Sequence, residues 1–242
     1  MPNVHGPVVF YHDPCKRGRR PKVNRLQSKE QYMGNQLLQS KRVKRNIVAL
    51  CGPSGVGKGY LKGLIKEYKE FCFFEPIVAT TRLTREHDGV DRLAGLSEKV
   101  FSQLISEKKV VLVSQPFGHN TPLYGFIEES FNPKSILTEV HSSILKDFTE
   151  YFRNDNLIIL GLDACEDYLH NAMIENGLEY GDIELRIKAS RTEREQIKDA
   201  LDSNYIEKIW EINAKGREKT RIEIINYTFK WLKNITDAQT QQ

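Results

Sequence analysis

Gly52, Pro53, Ser54, Gly55, Val56, Gly57 and Lys58 follow an apolar run, residues 46–51, and open a stretch in which Leu61, Leu64, Ile65 and Tyr68 recur at helical spacing. A glycine-rich turn between a strand and a helix, closed by a lysine, suits the binding of phosphate. Backbone N–H groups turn inward around anionic oxygens, the helix N-terminus adds partial positive charge, and the lysine bridges the terminal phosphates. An ordinary glycine turn has no need of that lysine. Gly59 and Tyr60 come next and complete the expected donor set. Loops of this kind usually place a Ser or Thr hydroxyl for Mg2+ at the position of Gly59. A metal must then be held by phosphate oxygens, water and a carboxylate elsewhere.

A second cluster lies downstream. Thr80, Thr81, Arg82, Leu83, Thr84 and Arg85 leave a strand-like run, residues 76–79, and place two arginines three apart. Asp88, Gly89, Val90 and Asp91 then make a turn, and Tyr124 with Gly125 closes the section. Two guanidinium forks and a phenol hydroxyl can grip a monophosphate dianion opposite a triphosphate held by Lys58. Surface solubility is the competing role for the arginines, and packing for Tyr124.

These side chains need a frame, and the chain supplies one. Residues 136–140 and 157–162 read as further buried strands, each followed by a helix-period stretch, residues 141–152 and 166–175. Strand alternating with helix implies a parallel sheet covered on both faces, an α/β fold of three layers around the phosphate loop. Residues 80–125 differ in texture and read as an inserted small monophosphate-binding subdomain, with a helical stretch at 98–107 and a strand at 110–114. The segment 180–215 is charged and helical in period; 221–226 then reads as a last strand and 229–235 as a closing helix.

The chain has 242 residues, 39% hydrophobic and 28% charged, enough for a substantial core. No apolar run is long enough to span a bilayer and no signal-like N-terminus is present, which points to a cytoplasmic protein without a membrane partner. The four cysteines are scattered, with no CxxC pair, so neither a zinc knuckle nor a disulfide framework is expected. Charge is uneven: residues 1–45 carry +9, leaving −5 for the rest. That segment reads as a basic, partly disordered extension, with residues 26–39 able to form a short polar helix. It could meet nucleic acid or an acidic partner, although few aromatics interleave its charges and a solvated tail explains them as well. The folded domain is expected over residues 46–242.

The phosphate loop, Thr-Thr-Arg-x-x-Arg, Asp-Gly-Val-Asp and Tyr-Gly together resemble the guanylate kinase family, over roughly residues 46–235. The resemblance implies a P-loop kinase fold, ATP and Mg2+ as cofactors, and phosphoryl transfer to a nucleoside monophosphate, most directly GMP or dGMP. It assigns Lys58 and the loop to ATP, Arg82, Arg85 and Tyr124 to the monophosphate, and Arg186 to charge on the transferred group. A salt bridge with Asp182 competes for Arg186. The resemblance also makes residues 166–190 a helical lid and Asn226 the adenine-side asparagine after the last strand.

The chain departs from the family pattern at several positions. Arg92 replaces a tyrosine, and Val113, Ser114 and Gln115 stand where a guanine-reading glutamate is usual, leaving Gln115 as the nominated base contact. Thr138 replaces an aspartate, so Glu139 is the nearest carboxylate for a metal, and residues 172–180 of the lid contain no arginine. A P-loop kinase acting on a sugar phosphate and a catalytically weak guanylate-kinase-like binding module are the alternatives. Retention of Lys58 argues against the last.

Overall fold

The computed structural model describes residues 44–86 and 88–240; the possible helix at 26–39 and all of the basic extension before Lys44 fall outside them. Strand β1 (Asn46–Cys51) is buried along its whole length, as a strand covered on both faces must be. Strands β2 (Val78–Thr80), β3 (Arg92–Leu93), β4 (Val110–Ser114) and β5 (Tyr124–Ile127) form a separate sheet, ordered β3-β2-β5-β4. The main sheet is completed by β6 (Ser135–Glu139), β7 (Asn156–Asp163) and β8 (Lys208–Glu211) in the order β6-β1-β7-β8, and every pairing in it is parallel. Phe74 extends that sheet beyond β6: Leu137 N donates to Phe74 O at 2.9 Å and Phe74 N to Ser135 O at 3.0 Å.

Among the described residues six helices cover the two sheets: α1 (Lys58–Glu67), α2 (Glu98–Ser106), α3 (Leu145–Tyr151), α4 (Glu166–Glu175), α5 (Tyr180–Asp202) and α6 (Arg217–Thr240). The period-2 alternation of the strands divides the main core in two. Val48, Leu50, Leu137, Ile158, Leu160 and Leu162 pack with Leu61 and Ile65 of α1, Leu169 and Met173 of α4, and Ile224 and Leu232 of α6. Ile47, Ala49, Cys51, Ile136 and Ile159 pack with Phe148 of α3 and Ile197 and Ala200 of α5. Each fully buried Leu or Ile contributes about 1.5–3 kcal/mol, so the end of β1 is a rigid base for the loop that follows it.

The second sheet is the inserted section, running slightly wider than residues 80–125, with its own small core of Ala79, Phe101 and Val110. Ser97 starts α2 by accepting a hydrogen bond from Val100 N at 3.3 Å. The β4–β5 register shifts between Val111 and Ser114, and Leu112 takes the left-handed region at φ 54°. Such a bulge re-aims neighbouring side chains, here beside the cavity described below.

Two sequence expectations are corrected. The segment 180–215 is not continuously helical: α5 ends at Asp202 and β8 follows as the last strand. Residues 221–226 are not a strand but lie inside α6, because Arg221, Ile224, Ile225, Thr228, Phe229 and Leu232 are buried at helical spacing. Residues 141–152 are a 3-10 turn, Ser142–Ile144, leading into α3. Among the described residues no helix is long and apolar enough to cross a membrane.

Candidate functional site

The phosphate loop leaves the C-terminal end of β1 and turns into α1. Gly52 is required by a close approach, since a Cβ there would lie 2.5 Å from Leu162 O of β7. Gly57 holds φ 99°, a left-handed conformation that favours glycine, and ends the loop directly before α1. Lys58 folds over the loop, donating to Gly52 O and, at 3.1 Å, to Pro53 O.

Beside the loop is a cavity of about 470 Å3 shared between the main sheet and the inserted section. Ser54 and Lys58 line its wall at the phosphate loop, Arg82, Arg85, Arg92 and Tyr124 its wall at the inserted section, and Arg186 of α5 also lines it. Arg82 is held in place: its guanidinium meets Asp88 Oδ1 at 2.5 Å and donates to Leu83 O at 2.7 Å. Asp88 also accepts from Arg85 N at 2.8 Å. The Arg82 hydrogen bond keeps the Asp88 carboxyl below its ordinary range, with the Arg85 backbone N–H assisting. The Asp-Gly-Val-Asp turn therefore orients the Arg82 guanidinium and fixes the backbone at Arg85.

Arg186 donates to Ser54 Oγ at 2.7 Å and stacks over Phe117 with its guanidinium carbon 4.9 Å from the ring centroid. Lid helix, phosphate loop and inserted section thus meet at one side chain. Burial lowers the Arg186 pKa, and Arg85 and Arg82 push it the same way. Three guanidinium groups close enough to repel one another are stabilised by a multiply charged anion. Asp182 acts on Arg186 as a favourable charge, while the hydrogen bond goes to Ser54.

Other expected residues stand apart. Gln115 does not line the cavity; its amide nitrogen donates to Thr121 O at 2.7 Å within the β4–β5 loop, and Ser114 lines the wall instead. Asn226 is exposed on α6, away from any strand end. The asparagine that follows the last strand is Asn213, whose Oδ1 accepts from Gly216 N at 2.7 Å. Its signal, a short Ile-Trp-Glu-Ile run before Asn213, is legible once that run is taken as the strand.

Glu139 lines the cavity at the end of β6, its Oε1 3.9 Å from where a Gly59 Cβ would stand. Lys62 already sits 3.3 Å from that oxygen and is anchored on its other side by Glu75. Among the described residues no group of three or more His, Cys, Asp or Glu is arranged to hold a metal ion. With glycine at position 59 and a lysine on Glu139, these residues do not build a metal cage.

The sequence reading passed over a buried pair deep in the same cavity. His141 Nε2 lies 3.7 Å from Glu193 Oε1, and both line the wall near Lys58. Burial pushes the Glu193 carboxyl up to about 7, against the pull of Lys58. Burial, with Lys58 assisting, pushes His141 down to about 4. Burial dominates both shifts, so at neutral pH the imidazole is neutral and the carboxyl is held far above its ordinary range.

A parallel sheet with a lysine-bearing phosphate loop at the C-terminal end of its strand β1, an inserted section built on a mixed sheet and carrying two arginines, and a helical lid returning a third define a P-loop kinase of the nucleoside-monophosphate type. No protein-family model matches the chain. The guanylate kinase of Mycoplasma mobile is 27% identical over 176 residues, covering 66% of this chain and 86% of that relative. That of Lactobacillus acidophilus is 32% identical over 158 residues, covering 63% and 76%. The chain belongs to the guanylate kinase family. The crystal structure of guanylate kinase from Anaplasma phagocytophilum has the same fold, with a TM-score of 0.54 at 16% identity over 78% of this chain and 86% of that one.

Proposed function

We propose that the protein transfers the γ-phosphoryl group of ATP to GMP, giving ADP and GDP. The observation that carries the reading is the convergence of Lys58, Arg82, Arg85, Arg186 and Tyr124 on one cavity. In the reaction an oxygen of the GMP phosphate forms a bond to the γ-phosphorus, the bond to the β–γ bridging oxygen breaks, and ADP leaves with the electron pair. The protein aligns the two phosphates and screens their charges; little covalent work falls to it.

Lys58 and the loop N–H groups hold the donor phosphates, releasing Lys58 from the carbonyls of Gly52 and Pro53. Arg82, Arg85 and Tyr124 hold the acceptor phosphate, with Asp88 fixing the orientation of Arg82. Arg186, anchored through Ser54 and Phe117, meets the group in transit. Mg2+ would arrive on the nucleotide phosphates with water completing its shell, and it supplies charge neutralisation there.

A coupled assay of ADP release with GMP, dGMP, AMP, CMP and UMP tests the reading. Turnover with the guanine nucleotides above the other three is the expected result. Tight ATP binding with no nucleotide accepted would overturn it.

A further inference from the structure

Helix α6 delivers one more cation to the phosphate loop. Arg221, on its second turn, lies with its guanidinium carbon 4.1 Å from the centroid of the Tyr60 ring. Its Nη2 stands 3.2 Å from where a Cβ on Gly57 would be, so the guanidinium rests directly against the last glycine of the loop. The side chain is only 10% exposed, and its ion-pair partner among the described residues, Glu218 at 2.5 Å, is 60% exposed and on the same helix. A buried guanidinium paired with a solvated carboxylate retains much of its field on the side that faces the loop.

We infer, on the reading of the loop as the ATP site, that Arg221 is a donor-binding residue that reinforces the phosphate nest from behind Gly57, with Tyr60 as the platform that holds it there. A donor phosphate on the N–H groups around Gly57 and Lys58 falls within the roughly 4–6 Å over which an opposite charge is felt. Tyr60 is the third residue of α1, and an aromatic face at that place fixes a planar guanidinium where a short hydroxyl side chain offers no face. Gly59, which lacks the hydroxyl usual after the loop lysine, leaves a gap in donor contacts that a fixed cation on the far side of Gly57 offsets. The ligand recognised is the polyphosphate of a nucleoside triphosphate or diphosphate, independent of its base.

Isothermal titration of the full chain with ADP and, separately, with GMP tests this. Arg221→Ala is expected to weaken ADP by roughly ten- to hundredfold and leave GMP unchanged, with a smaller salt dependence of ADP binding. Tyr60→Leu, which keeps the arginine but removes its platform, is expected to give a smaller loss of the same kind, and Arg221→Lys a partial one. A merely structural role for the pair would move ADP and GMP affinities together with the melting temperature. Wild-type ADP affinity in folded Arg221→Ala overturns the inference; should that variant not fold, unchanged ADP affinity in Arg221→Lys and Tyr60→Leu overturns it equally. A wild-type chain that binds no ADP fails the donor reading instead, and with it this inference.

Discussion

Lys58 is the side chain on which most of the proposed chemistry depends, and its surroundings show what removing it would do. Its ammonium rests on two loop carbonyls, Gly52 O and Pro53 O, so the loop can keep its path without it. The path is set by β1 below and by the fit of Gly52 against Leu162, neither of which involves the lysine. Lys58→Ala is therefore expected to melt within a few degrees of wild type while turnover falls by roughly two to three orders of magnitude, as when a preorganised charge is taken from a transition state. Circular dichroism melts and ADP release measure the two effects, and near-wild-type turnover in the folded variant would refute the assignment. Gln115 teaches the opposite lesson. Residue type and position made it a plausible base contact, but its amide is committed to Thr121 O, and the bulge at Leu112 brings Ser114 to the wall in its place. A register shift of this kind cannot be read from alternation, because alternation assumes an unbroken pleat.

Between elements, the contact of α5 with the turn after β6 couples the lid helix to protons. Glu193 and His141 shift in opposite directions, so their contributions to stability change with pH in opposite senses. The folded Glu193 carboxyl, near 7, holds its proton where the unfolded group, near 4.5, has lost it, so stability falls as pH rises from about 4.5 to 7. Folded His141, near 4, stays neutral where the unfolded ring, near 6.5, is charged, so stability rises from about pH 4 to 6.5. The two slopes oppose each other over most of the same window, and each amounts to on the order of 3 kcal/mol. Glu193→Gln should therefore gain stability relative to wild type as pH climbs from 4.5 to 7, read from urea midpoints across that range. A constant difference between variant and wild type at every pH would show that the carboxyl is not shifted. Elements also mark where sequence reading succeeds and fails. β1, β6 and β7 were legible because strands buried on both faces read as continuous apolar runs. β8 was not: it has four residues, Lys208 and Glu211 are exposed at its ends, and it follows a long charged helix. Taking residues 221–226 for a strand drew attention to Asn226, inside α6, and away from Asn213, which follows the last strand, and it hid Arg221, whose proposed role depends on the helix that carries it.

At the scale of the whole molecule, the remaining question is where the fold begins. The charge break in the sequence suggested residue 46, the first of β1. The structure places Arg45 inside the fold instead: its Nη2 and Nε meet Asp155 Oδ2 at 2.6 and 3.1 Å, its backbone N donates to Asp155 Oδ1 at 3.0 Å, and its Nη1 donates to Phe131 O at 2.9 Å. The guanidinium also lies 5.1 Å from the centroid of Phe152, a member of the aromatic cluster beneath α3. A basic residue at the end of a basic run carries no mark of such a role, because ion pairing over a separation of 110 residues is set by the fold and not by local composition. The Asp155 side chain is only 3% exposed, and a carboxylate so buried loses about 2–3 kcal/mol when its arginine is taken away. For a domain of this size that corresponds to roughly 5–10 °C. A chain begun at Val43 is therefore expected to melt with the full-length protein, and one begun at Asn46 to melt lower by that amount, although the two differ by only three residues. Thermal melts of both, with Arg45→Ala in the full chain as a third, separate side chain from chain length. Equal melting of the two truncated chains would refute the part given to Arg45, and a large loss already at Val43 would show that the basic extension itself contributes to the stability of the kinase fold.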